Sequence, residues 1–275
     1  MDGIGYNLND AIENLYKRSK EDDHTPFYKK KWFIISMIGI SALIVVMIIL
    51  LCVFLTKKNK KVLGEINCVY DINDVSQKVY ILSPDFNKGQ NDFDIVIDDK
   101  KIEFTKDYQF SSLGNNKINF KIYAELNMDS MFKDVKNLIS ISLNSSEQIS
   151  ISSMNNAFEN CEKLTSFDIA GFNVNNLKSL RRTFYNTYLK NPNFDYFSSC
   201  KIEDMSYLFG NYKYDILDIK SLKTENAKNM SHMFYNSKSL TTLYLTNINT
   251  KNVEDMSSMF EECDRLQEIN LTLLD

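Results

Sequence analysis

The sequence predicts a repeat solenoid with one short helix and one short strand per 25–26-residue repeat, preceded by a small β-rich cap domain and one transmembrane helix. Three observations predict it. Phenylalanine recurs at 132, 158, 184, 209, 234 and 260, at intervals of 26, 26, 25, 25 and 26. Trp32 to Leu55 is a run of 24 residues without a charge. Between the two, residues 65–125 alternate in the manner of strands and show no such period.

In chain order, residues 1–31 form a polar tail. Asn9 or Asp10 would cap a helical turn or two there, and a flexible tail is the simpler reading. The run 32–55 exceeds the roughly 20 residues that cross a hydrocarbon core. Lys29, Lys30 and Lys31 precede it, and Lys57, Lys58, Lys60 and Lys61 follow. Tyr28 and Trp32 are placed for an interfacial belt. A cleaved signal peptide fits poorly, because its apolar region spans roughly 7–15 residues. With Lys17, Arg18 and Lys20 added to the N-terminal flank, the positive-inside rule puts the N-terminus in and the C-terminal part out. Residues 56–64 are then a basic juxtamembrane linker.

The cap, 65–125, is read from Ile66–Tyr70, Lys78–Leu82, Phe93–Ile97, Lys101–Phe104 and Ile118–Tyr123, which alternate or are β-branched. Tyr108 to Gly114 and the strand after it resemble the last hairpin of small immunoglobulin-like sandwiches. A solenoid needs its first core face covered, so a capping role is the structural reading. A carbohydrate- or protein-binding module is the functional one.

Residues 126–275 carry about six repeats. The clearest copies begin at Met154, Met230 and Met256, and the template is M-S-x-M-F-x-x-C-x-x-L-x-x-L-x-L. Met256, Met259, Phe260 and Cys263 sit at i, i+3, i+4 and i+7, the spacing of one helical face. Leu266 to Leu271 ends in strict alternation and reads as a strand. No unit can bury its apolar face alone, but stacked units can. The third and fourth repeats drift around Asn191–Phe194 and Tyr212, which predicts a local kink.

This repeat resembles the bacterial surface protein A-type (BspA-like) leucine-rich repeat family over roughly residues 127–275. The resemblance implies a leucine-rich-repeat solenoid displayed at a cell surface and used for adhesion or binding. It implies no catalytic residues.

Composition bounds the function. Lys+Arg is 32 and Asp+Glu 36, so the chain lacks the basic surplus of a nucleic-acid binder. Histidine numbers only 2, which leaves little raw material for a histidine metal or acid–base site. His232 is matched by Ser258 one repeat on, so it reads as a replaceable exposed position. Glu203–Asp204 and Glu254–Asp255 recur just before the expected helix and read as complements of its N-terminal dipole. No enzyme motif, cofactor site or metal site is visible. Cys161 and Cys263 share a repeat position four repeats apart, on the order of 19 Å at strand spacing, too far to bridge. They read as small core residues. Cys68 and Cys200 are candidates for a bridge, but nothing in the sequence pairs them. The 31 asparagines suit turns and left-handed positions, and an AT-rich genome would account for them equally.

A solenoid offers its strand face for binding. Its outward residues are Ser142, Asp168, Asp218, Tyr244 and Asn270, with Thr242 and Glu268 beside them. Asn144, Asn229 and Asn270 begin N-x-S/T triplets, which become glycosylation sites only on a lumenal or extracellular side in a glycosylating host. The expectation is a single-pass, membrane-anchored surface protein for adhesion or for protein or glycan recognition. The alternative is a structural coat or scaffold whose repeats self-associate.

Overall fold

The computed structural model describes residues 39, 41–49, 60–144, 149–190, 192–245 and 248–271. They fall in two units, divided after Lys60. Of the expected membrane span, Gly39 and residues 41–49 are described; these are helical and exposed, Leu43 by 68%. Among the described residues no helix is long and apolar enough to cross a membrane. The rest of 32–55, and the whole tail 1–31, lie outside the described residues.

From Lys61 onward the chain is a cap joined to a β-solenoid of about five turns. The cap strands are β1 (Gly64–Ile72), β2 (Val79–Tyr80), β3 (Phe93–Ile97), β4 (Lys100–Ile102), β5 (Asp107–Tyr108) and β6 (Gly114–Ile122). Strict alternation buries Ile66, Cys68, Tyr70 and Ile72 of β1 and Ile118, Phe120 and Ile122 of β6. β5 pairs with β2, and β6 lies between β1 and β3, so the expected immunoglobulin-like hairpin does not form.

The solenoid strands are β7 (Leu126–Asn127), β8 (Leu138–Asn144), β9 (Ile149–Ser153), β10 (Ser166–Asp168), β11 (Phe172–Asn173), β12 (Ile216–Asp218), β13 (Thr242–Leu245) and β14 (Glu268–Leu271). They stack in parallel, β10 on β8 and then β12-β13-β14. The junction with the cap is antiparallel: β1 pairs with β6 on one side and with β8 on the other. One six-stranded sheet, β10-β8-β1-β6-β3-β4, therefore runs from solenoid into cap.

The short helix expected in each repeat is absent, and this corrects the sequence reading. Each M-S-x-M-F-x-x-C segment is instead a ribbon of successive turns. In the ribbon Met154–Cys161, Ala157, Glu159 and Cys161 donate N–H bonds to the carbonyls three residues earlier. The alternate N–H groups, those of Asn156, Phe158 and Asn160, donate to Arg181, Thr183 and Tyr185 of the next coil, at 2.9, 3.1 and 2.9 Å. An α-helix would direct every N–H to the carbonyl four residues back. Here half of them hold one coil to the next.

Two residues per ribbon, four apart, must take positive φ. The first column is Ser130, Asn156, Arg182, Tyr207, His232 and Ser258; the second is Asp134, Asn160, Asn186, Asn211, Asn236 and Glu262. Asparagine tolerates that conformation better than most residues. It also forms a ladder, each Nδ2 donating to the Oδ1 of the coil before: Asn160 to Asp134, Asn186 to Asn160, Asn211 to Asn186 and Asn236 to Asn211, at 2.7, 3.0, 2.7 and 3.4 Å. Part of the asparagine surplus is therefore structural.

Inside the ribbons the six phenylalanines stack nearly parallel. Ring centroids of 132–158, 158–184, 184–209, 209–234 and 234–260 are 5.7, 5.9, 6.2, 6.2 and 5.5 Å apart. Phe120 of β6 meets Phe132 edge-on at 5.9 Å and joins the stack to the cap core. Among the described residues the drifting third coil has no strand between β11 and β12. A 3₁₀ turn, Asp195–Phe197, fills the place, and Phe194 packs edge-on against Phe184 and Phe209. The ribbon hydrogen bonds continue unbroken through that coil.

The acidic pairs have a related role. Asp204 and Asp255 accept the N–H two residues on, from Ser206 and Ser257, each at 2.9 Å. Asn229 does the same for Ser231. They are Asx turns opening a ribbon, not complements of a helix dipole.

The four described cysteines, Cys68, Cys161, Cys200 and Cys263, are free. Cys161 and Cys263 do sit in the core column, and their thiols also donate to the Phe132 and Phe234 carbonyls, at 2.9 and 3.1 Å. Ser237 makes the equivalent bond to the Phe209 carbonyl at 3.3 Å, so serine can stand in for cysteine at this position.

Burial pushes the Cys200 thiol up to about 11, and burial raises Cys68, Cys161 and the Tyr70 hydroxyl in the same sense. A thiol unfolds to a value near 9.0, below its folded one. The folded state then binds more protons, so this stability is complete below that value and is lost as pH rises through the folded values. The urea midpoint should be flat through neutrality and fall above about pH 9, as midpoints measured from pH 7 to 10.5 would show. A flat profile would mean that these groups are not buried as neutral acids.

Candidate functional site

The structure places the expected strand-face residues in two groups. Asp168 of β10 stands in register with Ser142 of β8. Asp218, Tyr244 and Asn270 stand in register on β12, β13 and β14. The strandless third coil separates the groups. Tyr196 of its 3₁₀ turn partly spans the gap, its hydroxyl donating to Asp168 Oδ1 at 3.1 Å. Burial, then that carboxylate, raises the Tyr196 hydroxyl.

Several of these groups are already engaged. Asp168 Oδ1 also accepts the Ala170 N–H, and Asp218 Oδ1 the Lys220 N–H, at 3.0 and 3.1 Å. Lys220 Nζ pairs with Asp218 Oδ2 at 3.0 Å and lies 4.6 Å from the Tyr244 ring centroid. The carboxylates are thus spent on turns and a lysine. The arrangement suits hydrogen bonding and ring contact. Of the triplet asparagines, Asn144 and Asn270 lie on β8 and β14, and Asn229 is half-buried in its Asx turn. Among the described residues no group of three or more His, Cys, Asp or Glu could hold a metal ion.

A second surface escaped the sequence reading. The first positive-φ column carries Arg182, Tyr207 and His232 in successive coils, and their side chains stack. The Arg182 guanidinium lies 4.8 Å from the Tyr207 centroid. The Tyr207 and His232 rings are 4.4 Å apart and tilted by only 10°. Tyr185 and Tyr235 flank the column: Arg182 is 4.3 Å from the Tyr185 centroid, and Tyr235 meets His232 at 5.6 Å. Arg182 is anchored by Nε and Nη2 to Glu159 Oε1, at 2.9 and 2.7 Å. His232 is thus half-buried in an aromatic column, not simply exposed, and its Nδ1 is buried without a hydrogen-bond partner. The signal that could have found this ridge was Arg-Tyr-His at one repeat position where other coils carry Ser or Asn.

Gly210 makes room for the ridge. A Cβ there would sit 2.6 Å from the Tyr185 ring. Gly210→Ala should displace Tyr185 and cost about 1–3 kcal/mol, an overpacking penalty, read as a lower urea midpoint. Pairing it with Tyr185→Ala should remove most of the added cost, because the clash disappears.

Cap, turn ribbons and phenylalanine stack define this chain as a β-solenoid of short parallel coils. It belongs to the family described as "Mycoplasma protein of unknown function, DUF285", whose model matches residues 103–216 and 152–272. The two matches overlap and are offset by about two repeats, as a repeat family requires. No curated protein and no solved structure matches the chain.

Proposed function

We propose that this chain is a single-pass membrane protein, anchored by 32–55 with its N-terminus inside, that displays the solenoid outside as an adhesion or recognition module. The observation that carries the reading is the ridge of Arg182, Tyr207 and His232 with Tyr185 and Tyr235. Coil stacking does not require these residues, since Ser130, Asn156 and Ser258 serve at the same position. Aromatic and arginine side chains dominate binding hot spots. The ligand class is a protein or a glycan, and the strand face of Ser142, Asp168, Asp218, Tyr244 and Asn270 offers a second contact surface. The resemblance to BspA-like leucine-rich repeats supports the same reading. It involves no catalysis, cofactor or nucleic acid.

The test has two arms. An epitope tag after Asp275 should be lost when intact cells are treated with protease. The chain should also bind a member of a panel of printed glycans and purified matrix proteins, with binding lost in Tyr207→Ala or in Asp168→Ala with Tyr244→Ala. A tag protected until permeabilisation would overturn surface display. Binding unchanged in all variants would overturn both faces.

A further inference from the structure

A further set of outward positions changes character at the third and fourth coils. Four residues after each stack phenylalanine stand Lys136, Glu162, Tyr188, Lys213, Lys238 and Asp264, charged in every coil but one. The exception, Tyr188, is 42% exposed. Tyr214 of the next coil meets its ring edge-on at 6.3 Å and donates its hydroxyl to the Tyr188 carbonyl at 3.1 Å. Buried Tyr212 ties Tyr214 to the start of β12: its ring lies 5.8 Å from that of Tyr214, and its hydroxyl donates to the Ile216 carbonyl at 3.2 Å. Ile216 is 39% exposed, although the residues in register on β13 and β14 are Thr242 and Glu268. Coil stacking thus requires neither Tyr188 nor Ile216, since polar residues serve at the same positions.

The charge around this apolar patch is unbalanced. Two lysines of the same column are matched: Lys136 pairs with Glu162 at 3.5 Å, and Lys238 with Glu262 at 3.1 Å. Lys213, between Tyr188 and Lys238 in the column, is half-buried and makes no ion pair among the described residues. Burial pushes its ammonium below the ordinary value, and Glu162, already engaged by Lys136, only partly offsets that. Lys190 is exposed, lies 5.6 Å from the Tyr214 centroid and likewise makes no ion pair. Against these two lysines the patch carries one acid, the exposed Asp215. A partly buried cation without a counter-charge is costly to hold, and an incoming carboxylate would offset that cost.

We propose that Tyr188, Lys190, Lys213, Tyr214 and Ile216 form a docking patch for an acidic and apolar segment of a partner protein. Tyr188 and Ile216 bury against the segment's apolar side chains, and its carboxylates pair with Lys190 and Lys213. An exposed aliphatic side chain beside the rings favours such a segment over a sugar, whose hydroxyls would be left unpaired against Ile216. The patch uses other columns than the ridge of Arg182, Tyr207 and His232, so the proposal holds whether or not the ridge binds.

The test uses the full ¹⁵N-labelled chain in detergent micelles. The probe is a set of short synthetic peptides in which glutamate alternates with leucine, isoleucine or tyrosine. The Tyr188, Lys213, Tyr214 and Ile216 amides should shift together and saturably. Tyr188→Glu gives Lys213 the counter-charge that Glu162 gives Lys136, and should weaken binding at least about tenfold, the loss expected of a hot-spot residue. Lys190→Gln with Lys213→Gln should weaken it equally while leaving Tyr188 in place. Ile216→Thr, which copies β13, should also weaken it with the urea midpoint unchanged. No saturable shift with the acidic peptides would overturn the proposal. So would equal binding of peptides with lysine in place of glutamate, or undiminished binding in the variants. Shifts given by glucuronic-acid oligomers and not by the peptides would assign the patch to an acidic glycan and overturn it. Patch shifts that grow with the concentration of the chain alone would make a second copy the occupant instead.

Discussion

Phe158→Ala should lower the stability of the 61–275 unit by about 3–5 kcal/mol, the usual cost of emptying a buried phenylalanine site. Phe158 is fully buried, stacked between Phe132 and Phe184, and met edge-on by Phe167 at 5.4 Å. Its neighbours are held by ribbon bonds on both sides, so the cavity cannot easily collapse. That loss is a large part of the roughly 5–15 kcal/mol that stabilises a domain. Phe260→Ala is the control, because Phe260 is half-exposed and stacked on one side only. It should cost well under half as much. Urea unfolding followed by tyrosine fluorescence measures both, and equal losses would mean that the phenylalanines do not form one column.

The second large effect is at Asn186. Its φ is +56°, its Nδ2 donates to Asn160, and its Oδ1 accepts from Asn211. Asn186→Ala removes two ladder bonds, each about 1 kcal/mol, and puts a Cβ-bearing residue without a local side-chain bond at positive φ, about 1–2 kcal/mol more. The expected loss is about 3 kcal/mol. Asn186→Gly loses the ladder bonds but not the backbone conformation, and should recover about 1 kcal/mol of that loss. A glycine variant less stable than the alanine one would deny the left-handed conformation.

These two columns also show what the sequence made legible. The 25–26-residue period of phenylalanine announced the stack directly, because one large apolar side chain per coil must meet its equivalents. The cap strands were legible from alternation and β-branching instead, most plainly Phe93–Ile97, which forms as expected. The helix was a misreading with a physical cause. Met256, Met259, Phe260 and Cys263 carry helical spacing, but in a turn ribbon residues three and four apart also return to one face. The discriminating signal was Asn at 156, 160, 186, 211 and 236, with Gly210 beside them: residues poor in helices and at ease at turns. The antiparallel pairing of β1 with β8 left no local trace, since register between strands some 70 residues apart is set only by the assembled core. The ridge of Arg182, Tyr207 and His232 was hidden because three different side chains occupy one column. The Asp168 and Asp218 positions were found correctly as strand residues, but not their use as turn caps.

The central claim is that half of the N–H groups in each of the first five ribbons bond to the next coil. Scalar coupling across hydrogen bonds, measured by NMR on the labelled full chain, tests it most directly. The account predicts couplings from the Asn160, Asn186 and Asn211 nitrogens to the carbonyl carbons of Tyr185, Gly210 and Tyr235, with positive φ at each asparagine. Couplings to carbonyls four residues back within 181–187, with helical chemical shifts there, would contradict it.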